Sequence, residues 1–347
     1  MRRDVCQVSS DKWIEAEKHM KKKIKVLTLC AVLLTFSFPV EAQQTAKIPR
    51  IGYVSGTGSA ADPGPYVEAL RQGLRDLGHI DGKNIVIEYR GAEGKLDRIA
   101  SLVNELVQLK VDVLVVPIPS AIRAAKQATK TIPVVMVTGD PVAAGIVDSL
   151  ARPGGNLTGF ATLNPNLSGK RLELLKEVVP QLSRVGVLWQ PVPDDPSTTF
   201  EEYKAAARAL KLQFQSLEVR GPNLDLDGAF QTAAKGRVNA LITVTSAPLF
   251  LQRKRVADLA IKNRLPTLYQ GSAWVESGGL MSYSTDDLAI SRRAATYVDK
   301  ILKGTKPADL PVEQPTKFEF VINLKTAKQI GLNIPQSVLF RADKVIK

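Results

Sequence analysis

The residues best placed for chemistry are polar and aromatic side chains that lie at or just after the ends of predicted strands. They are Ser55, Thr57, Ser120, Asp140, Trp189, Gln190, Ser246, Gln270 and Tyr283. A carboxylate such as Asp140 can pair with an ammonium group, whereas a hydroxyl at a helix start, such as Ser120, can help backbone N–H groups to hold a carboxylate. The rings of Trp189 and Tyr283 can stack on a planar molecule. As a set, these residues predict recognition of a small solute without a covalent reaction.

Each of these residues also has a structural interpretation. Asp140 ends the fourth predicted strand and could cap a short helix predicted over residues 142–150. Capping and solute binding use the same geometry, so the sequence leaves both roles open. The other side chains are equally compatible with packing or with a turn.

Cysteine and histidine are too scarce for several kinds of catalysis. Cys6, Cys30 and His19 lie in an N-terminal region that we predict to be removed, which leaves His79 as the one imidazole of the mature chain. Cysteine nucleophiles, disulfide frameworks, thiolate zinc sites and multi-histidine metal clusters are therefore excluded. His79 follows a helix-ending glycine, which is typical of a surface turn. We predict no catalytic residue, no metal and no cofactor.

The N-terminal region has the features of a signal peptide. Lysines at positions 21, 22, 23 and 25 precede an apolar run over residues 26–38, and residues 40–42 (VEA) form a cleavage signal. The run is shorter than the roughly 20 residues that a transmembrane helix needs. We therefore expect residues 1–42 to be absent from a periplasmic mature protein, with Met20 as the true start. Cys30 partly resembles a lipoprotein cysteine, but Leu29 stands where a small residue is expected.

The formal net charge of +13 could attract nucleic acid or acidic membranes. The basic residues, however, are interleaved with acidic ones along predicted helices, as at residues 170–177 and 253–258. This pattern is typical of solvated helix faces. We predict no nucleic-acid partner.

Short β-branched strands alternate with amphipathic helices, which is typical of parallel sheets buried on both faces. The first predicted strands are residues 50–55, 84–89, 111–117 and 134–138. The succession begins again at Arg184, where residues 185–189 (VGVLW) echo residues 51–55 (IGYVS). The fold class predicted is α/β, with two Rossmann-like lobes.

Three segments are predicted to cross between the lobes as a multi-strand hinge: residues 162–167, 281–285 and 313–317. One lobe would comprise residues 48–163 and 284–315, and the other residues 164–283 and 316–347. In open parallel sheets, ligands bind beyond the carboxyl ends of the strands. A solute would therefore lie in the cleft between the lobes.

Residues 56–61 (GTGSAA) fit a dinucleotide-binding fingerprint, which favours an exported Rossmann-type nucleotide-dependent enzyme as the alternative. That fingerprint requires a helix that starts within the motif. Here Pro63 and Pro65 delay the helix to about residue 65, and Glu88, the acidic partner, lies inside a predicted strand. The loop is more typical of a solute-facing or flexible segment.

The most distinctive stretches of the chain are residues 51–53 (IGY), 71–78 (RQGLRDLG), 126–129 (KQAT), 139–142 (GDPV), 151–159 (ARPGGNLTG), 168–171 (SGKR) and 278–283 (GGLMSY). Together they resemble the periplasmic substrate-binding proteins of ABC transporters, in the group whose best-known members bind aromatic amino acids. The resemblance covers nearly the whole mature chain. It implies a type I binding-protein fold that closes on a small solute and delivers it to a permease in the inner membrane.

The solute itself is not fixed by the resemblance. Asp140 and the helix-start hydroxyls offer opposite poles, which favours an amino acid or a similar small zwitterion. We predict a monomer that carries no enzymatic activity. A ligand-sensing module that docks on a receptor instead of a permease would share this fold.

Overall fold

The computed structural model describes Met20 and residues 47–162, 165–191, 198–221 and 223–347. The predicted signal peptide, residues 1–42, lies outside the described residues except for Met20. Within these described ranges, no helix is both long and apolar enough to cross a membrane. Residues 48–347 form one unit.

Residues 50–161 build a parallel sheet of five strands in the order β2-β1-β3-β4-β5. The strands are β1 (Arg50–Ser55), β2 (Val86–Gly91), β3 (Val113–Val116), β4 (Val134–Thr138) and β5 (Leu157–Ala161). The helices between them are α1 (Pro65–Asp76), α2 (Ile99–Gln108) and α3 (Pro119–Ala128), with a 3-10 turn at Leu96–Arg98. Both α1 and α3 begin with a proline, which suits a first helical turn because its missing N–H would have no helical partner there.

The helix predicted over residues 142–150 is wrong, because this segment consists of turns. Ile146 and Val147 are adjacent and both buried. Gly145 has a positive φ of 63°. The backbone bonds of this segment are those of turns, because the N–H groups of Ile146 and Val147 both donate to Pro141 O. The positive φ fits a glycine in a turn.

A second sheet has seven strands in the order β12-β11-β10-β9-β8-β6-β7. They are β6 (Arg184–Trp189), β7 (Gln213–Glu218), β8 (Ala240–Thr243), β9 (Thr267–Tyr269), β10 (Met281–Thr285), β11 (Phe318–Asn323) and β12 (Lys344–Ile346). Strand β11 runs antiparallel to β10, whereas the other neighbouring pairs are parallel. The second sheet is therefore mixed.

The helices of this half of the chain are α4 (Ser168–Val178), α5 (Thr198–Ala209), α6 (Leu226–Lys235), α7 (Ala247–Leu251), α8 (Arg253–Lys262), α9 (Ser272–Glu276), α10 (Asp287–Leu302), α11 (Leu324–Ile330) and α12 (Gln336–Leu339). Two short 3-10 segments lie at Pro165–Leu167 and Pro307–Asp309. Helices pack on both faces of each sheet, which explains why the strand sequences are apolar without alternation. The predicted α/β fold class with two lobes is confirmed.

The chain passes between the two sheets more than once. Strand β10 belongs to the second sheet, but the helix that follows it, α10, packs with α1 on the first sheet. Glu313 then exchanges backbone hydrogen bonds with the end of β5: its N–H donates to Gly159 O at 2.9 Å, and its carbonyl accepts from Ala161 N at 2.8 Å. The chain returns to the second sheet as β11.

Equivalent glycines in β1 and β6 show that the two lobes are built alike. A Cβ added to Gly52 would lie 2.9 Å from Leu114 Cδ2, and one added to Gly186 would lie 2.7 Å from Leu217 Cδ1. In both strands a leucine of a neighbouring strand occupies the space where a side chain would stand. The sequence echo between these strands therefore reflects the same packing requirement.

Candidate functional site

The loop after β1 is held against its own sheet by side-chain hydrogen bonds. Ser55 Oγ accepts from the backbone N–H groups of Thr57 at 3.3 Å and Gly58 at 3.1 Å. Tyr89 Oη donates to Pro63 O at 3.3 Å, and the Tyr89 ring stacks on Tyr53 with 6.0 Å between centroids. Ser55 thus shapes the loop through its hydroxyl, and half-buried Thr57 lies at the bend.

The space beside Gly58, in the loop that fits the nucleotide-binding fingerprint, is occupied by other atoms of the protein. A Cβ on Gly58 would lie 2.1 Å from Tyr89 Oη and 2.6 Å from Pro63 O. Helix α1 begins only at Pro65. The close approach that Gly58 permits is therefore to the Tyr89 side chain and the Pro63 backbone, and α1 does not start within the motif as a dinucleotide site requires.

Three strand ends of the second sheet are joined by side-chain hydrogen bonds. Ser246 Oγ donates to Gln190 Oε1 at 2.8 Å and accepts from Leu249 N at 3.4 Å as the N-cap of α7. Gln270 Oε1 accepts from Thr245 N at 2.9 Å. These contacts fix Gln190, Ser246 and Gln270, which follow β6, β8 and β9, along one edge of the sheet.

Gln270 has a buried donor that the protein does not use. Its side chain is 8% exposed, and its Nε2 has no hydrogen-bond partner among the described residues. The bond to Thr245 N fixes the amide orientation, because only the carbonyl oxygen can accept it. A buried donor without an acceptor costs about 1–3 kcal/mol, so this N–H is available to a solute.

The loop that carries Ser55 and Thr57 contacts the edge of the second sheet that carries Gln190, Ser246 and Gln270. We call these two segments the polar edges. A Cβ added to Gly56, in the loop after β1, would lie 3.0 Å from the Cβ of Ala247, the first residue of α7. Near the same place, a Cβ on Gly94 would lie 2.7 Å from Leu251 Cδ1 at the end of α7. The first-lobe loops that carry Ser55 and Thr57 therefore face the second-lobe segment that carries Ser246.

Ser120 and Asp140 also lie at the ends of first-sheet strands. Ser120 is half-buried at the second position of α3, and the residue before α3, Ile118, would lie 3.6 Å from a Cβ on Gly56. Asp140 Oδ1 accepts from the backbone N–H groups of Val142 and Ala143, each at 3.0 Å. Asp140 therefore has the capping geometry that the sequence left open as its structural role. It caps a turn and not the predicted helix.

Trp189 and Tyr283 have packing partners inside the protein. Trp189 stacks on Phe200 with centroids 4.1 Å apart, and its Nε1 donates to Ser216 Oγ at 2.8 Å. Tyr283 stacks on Phe318 at 5.9 Å and meets Phe320 edge-on at 6.2 Å. Both rings are half-buried and pack against the edge of the hydrophobic core of the second lobe.

Asp287 is the second of two acidic residues at the start of α10. Its neighbour Asp286 does cap α10, accepting from Ala289 N at 2.9 Å. The Asp287 carboxylate instead accepts from Thr285 Oγ1 at 2.7 Å. Burial raises the pKa of Asp287 to about 6, although the Thr285 hydrogen bond and the Arg171 charge act in the opposite direction. The hydrogen bond and the charge therefore do not offset the cost of burying the ionised carboxylate at the end of β10.

Tyr66 is a second residue whose ionisation is disfavoured by burial. This half-buried residue is the second of α1, and burial raises the pKa of its hydroxyl above the ordinary value. The charges that act on the hydroxyl are those of Asp287, Arg253 and Glu276. The helical spacing of Tyr66 with Leu70 and Leu74 is that of a packing residue, and it gives no indication of these charges.

Arg171 lies under the hinge with no exposed surface. Its Nε donates to Tyr283 O at 2.7 Å, and its Nη1 donates to Tyr203 Oη at 3.2 Å. Tyr283 belongs to β10, the strand that leads to Asp287. A rigid guanidinium in α4 therefore fixes the strand that positions this carboxylate.

His79 is tied to α10 and not to either polar edge. Its Nε2 lies 2.8 Å from Asp299 Oδ1, and Lys303 Nζ donates to the same carboxylate at 2.9 Å. In the part of the chain that the structure describes, no group of three or more histidine, cysteine, aspartate or glutamate residues could hold a metal ion. The two facing edges carry hydroxyl and amide groups, which can form hydrogen bonds with a solute.

Comparison with known proteins gives consistent results. A family model described as "ABC transporter substrate binding protein" matches residues 63–346. The chain is 28% identical over 275 residues to a tyrosine-binding protein of Clostridioides difficile (strain R20291), covering 77% of this chain and 78% of that protein. The matching family and this relative are both described as binding proteins.

Solved structures with the same fold include a conserved domain protein from Vibrio cholerae, with 27% identity and a TM-score of 0.80 over 86% of this chain and 100% of that one. Another is an ABC domain from Streptococcus pneumoniae in complex with L-Trp, with 29% identity and a TM-score of 0.76 over 85% of this chain and 100% of that one. These likenesses identify the two-lobed fold as that of type I periplasmic binding proteins.

Proposed function

The chain belongs to the ABC transporter substrate-binding protein family, and we propose that it captures an aromatic amino acid outside the cytoplasm and delivers it to an ABC permease. The similarity to a tyrosine-binding protein and to a domain in complex with L-Trp supports this solute class. The pattern of the N-terminal region supports export by a signal peptide cleaved after Ala42. The working form is a periplasmic monomer.

In this proposal the solute lies between a lobe of residues 48–163 with 284–315 and a lobe of residues 164–283 with 316–347. It contacts residues from both polar edges, namely Ser55, Thr57, Ser120, Gln190, Ser246 and Gln270. A solute that touches both lobes binds the closed form more tightly than the open form and shifts the population toward closure. The closed surface is then what the permease recognises.

The observation that carries the proposal is the approach of Gly56 to Ala247, the residue that follows Ser246. Gln270 accepts from the N–H of Thr245, two residues before Ala247, and its buried Nε2 has no acceptor among the described residues. Two lobes that meet through small residues and leave a buried donor unpaired are suited to enclosing a polar solute. No covalent step is required of any residue at these edges.

Thermal-shift screening of the purified mature protein tests the proposal. The panel contains L-tryptophan, L-tyrosine, L-phenylalanine, non-aromatic amino acids, sugars, nucleosides and organic anions. A solute at 100 times its dissociation constant stabilises the folded state by about 2.7 kcal/mol. We expect the aromatic amino acids to give the largest rise in melting temperature. A rise with sugars or nucleosides and none with amino acids would contradict the proposed solute class.

A further inference from the structure

Residues 310–313 lie against the first sheet before the chain crosses to the second, and we call them the hinge anchor. Glu313 exchanges two backbone hydrogen bonds with the end of β5, on either side of Phe160. At the other end of the anchor, the buried Thr158 Oγ1 donates to Leu310 O at 2.7 Å. The anchor is therefore joined to the first lobe at both of its ends.

The Glu313 side chain connects the hinge anchor to α10. Its carboxylate accepts from Nε and Nη2 of Arg293, the latter at 3.0 Å. Tyr297 Oη donates to Pro311 O at 2.6 Å and lies 3.1 Å from Glu313 Oε1, and the Tyr297 ring packs on Phe160 with 4.8 Å between centroids. Burial raises the pKa of Glu313, but the hydrogen bonds and charge of Arg293 outweigh it, and the pKa lies below its ordinary value. The carboxylate is therefore ionised at neutral pH and paired with α10.

Beyond Glu313 the chain is bonded to neither sheet until β11 begins. No hydrogen bond joins residues 314–317 to another described residue. Strand β11 then pairs with β10 from Phe318 onward, opposite Thr285. The first crossing begins in a similar way, because Thr162 N still donates to a backbone carbonyl of β4 at 2.6 Å. The bonds that tie these two crossings to the first lobe therefore reach as far as Thr162 and Glu313.

Resting on the proposed function, in which the lobes close on a solute, we propose that Glu313 is the positioning residue of the hinge. Its backbone holds the end of β5, from which the first crossing leaves, and its side chain holds α10, which follows the crossing at β10. Bending in the third crossing is thereby confined to residues 314–317. Without Glu313 the hinge anchor would also move, and a longer flexible segment has more conformations that closure must remove. Glu313 thus favours solute binding without contacting the solute.

Arg292 provides a matched control on the same helix. Its Nε and Nη2 both donate to Asp76 Oδ2, at 3.0 and 2.6 Å, within the first lobe. The side chains of Arg292 and Arg293 are 57% and 60% exposed, so we expect both ion pairs to contribute little to stability. Of the two, the Arg293 pair is the one that holds the hinge anchor. A difference between variants of these arginines is therefore an effect of position and not of losing a surface ion pair.

Four single variants of the mature protein test this proposal. Glu313→Ala removes every contact of the carboxylate, whereas Glu313→Gln keeps an oxygen that can accept from Tyr297 and Arg293. Arg293→Met removes the ion-pair partner, and Arg292→Met is the control. Circular dichroism establishes that each variant is folded, and Glu313→Gln decides the test if Glu313→Ala does not fold.

Three measurements are made on each variant. Hydrogen exchange followed by mass spectrometry reports the protection of residues 157–162 and 310–317. Single-molecule fluorescence energy transfer reports the distribution of distances between the lobes, through probes on cysteines introduced as Asn104→Cys on α2 and Lys235→Cys on α6. Both positions are exposed, and residues 43–347 contain no cysteine of their own. Calorimetry gives the affinity for L-tryptophan.

We expect Glu313→Ala to speed hydrogen exchange in both segments by about tenfold, because their shared hydrogen bonds open more often. The distance distribution of the solute-free protein should widen, and L-tryptophan binding should weaken by about three- to tenfold. Glu313→Gln and Arg293→Met should change the same three quantities in the same direction but by less. Arg292→Met should leave the exchange of both segments and the distance distribution as they are in the wild type.

A distance distribution in Glu313→Ala as narrow as that of the wild type would overturn the proposal, even with faster exchange, because the hinge anchor would then not control the lobes. Equal widening in Arg292→Met would overturn it too, since the loss of any surface ion pair on α10 would then suffice. If the wild type binds no aromatic amino acid, the proposed function fails. The solute-free distance distribution still decides the role of Glu313 in that case.

Discussion

Gly56 and Ala247 lie on opposite lobes, and a Cβ added to Gly56 would stand 3.0 Å from the Ala247 Cβ. Hydrogen is the largest substituent that this position accepts without displacing its neighbour. The contact connects the loop after β1 with the start of α7, so it marks where the lobes touch. It gives a direct way to disturb closure without touching a proposed solute contact.

Gly56→Val is expected to weaken solute binding by about tenfold, because the added methyl groups separate the lobes and the solute then stabilises closure less. The melting temperature without solute should change little, since each lobe keeps its own core. Isothermal titration calorimetry and differential scanning calorimetry measure the two quantities. Gly169→Ala is the matched control, because nothing lies within 4 Å of a Cβ there. Equal affinity in wild type and Gly56→Val would show that this contact is not part of the bound form.

Gln270→Glu is expected to weaken solute binding by about 1–2 kcal/mol through loss of the buried donor. Glutamate keeps an oxygen that can accept from Thr245 N, so the backbone of the edge should be preserved. Gln270→Leu removes both functions and should also lower the melting temperature. Affinity measured by calorimetry decides: unchanged binding by both variants would exclude Gln270 from the site.

Arg171→Met is expected to destabilise the protein by about 2–4 kcal/mol, because the Tyr203 hydroxyl and the Tyr283 carbonyl lose a buried donor. Denaturant unfolding measures the change in the free energy of unfolding. Lys170→Met, an exposed neighbour on the same helix, is the control and should stay within about 0.5 kcal/mol of the wild type. A loss below 1 kcal/mol in Arg171→Met would show that the guanidinium is not needed to hold β10.

The pH dependence of lobe closure should follow Asp287. Burial in this structure raises the pKa of this carboxyl from 3.8 to about 6. If closure of the lobes produces that burial, the closed form binds more protons than an open form in which the group is hydrated. Without solute, closure is therefore favoured at pH values below about 4. The contribution of Asp287 to the free energy of closure is about 3 kcal/mol for a pKa raised by roughly two, and it is lost as pH rises through 6.

Fluorescence energy transfer between probes on the two lobes measures this effect in solute-free protein. The closed population should fall between pH 4 and pH 7 in the wild type. In Asp287→Asn it should vary much less, because an amide does not titrate in this range. A wild-type profile as flat as that of the variant would contradict the burial of an uncompensated carboxyl at the hinge.

Much of the fold follows from local sequence. The bounds of β1 and β4 agree with the prediction, because β-branched runs fall between clear breaks in the pattern. Residues 281–285, predicted as a crossing between the lobes, form strand β10 of the second sheet. The helix predicted after Asp140 is wrong although its apolar residues have helical spacing, because Gly145 has a positive φ of 63° that interrupts a helix. These elements depend on residues close in sequence, which a periodicity can detect.

The candidate site was only partly predictable. The sequence pattern placed Ser246 and Gln270 after parallel strands, and the order of strands in the sheet, which the sequence pattern did not give, brings those ends together. The environment of Asp287 was not accessible, because it is made by Tyr66 and Arg171, which are remote in sequence. The rings of Trp189 and Tyr283 likewise meet partners, Phe200 and Phe318, that no local pattern connects with them.

Small-angle X-ray scattering of the mature protein during titration with L-tryptophan or L-tyrosine tests the central claim most directly. The account predicts that the radius of gyration decreases as solute is added, saturates at one solute per chain, and has the midpoint found by calorimetry. Binding with no change in the radius of gyration, or no binding of any aromatic amino acid, would contradict enclosure of the solute between the lobes.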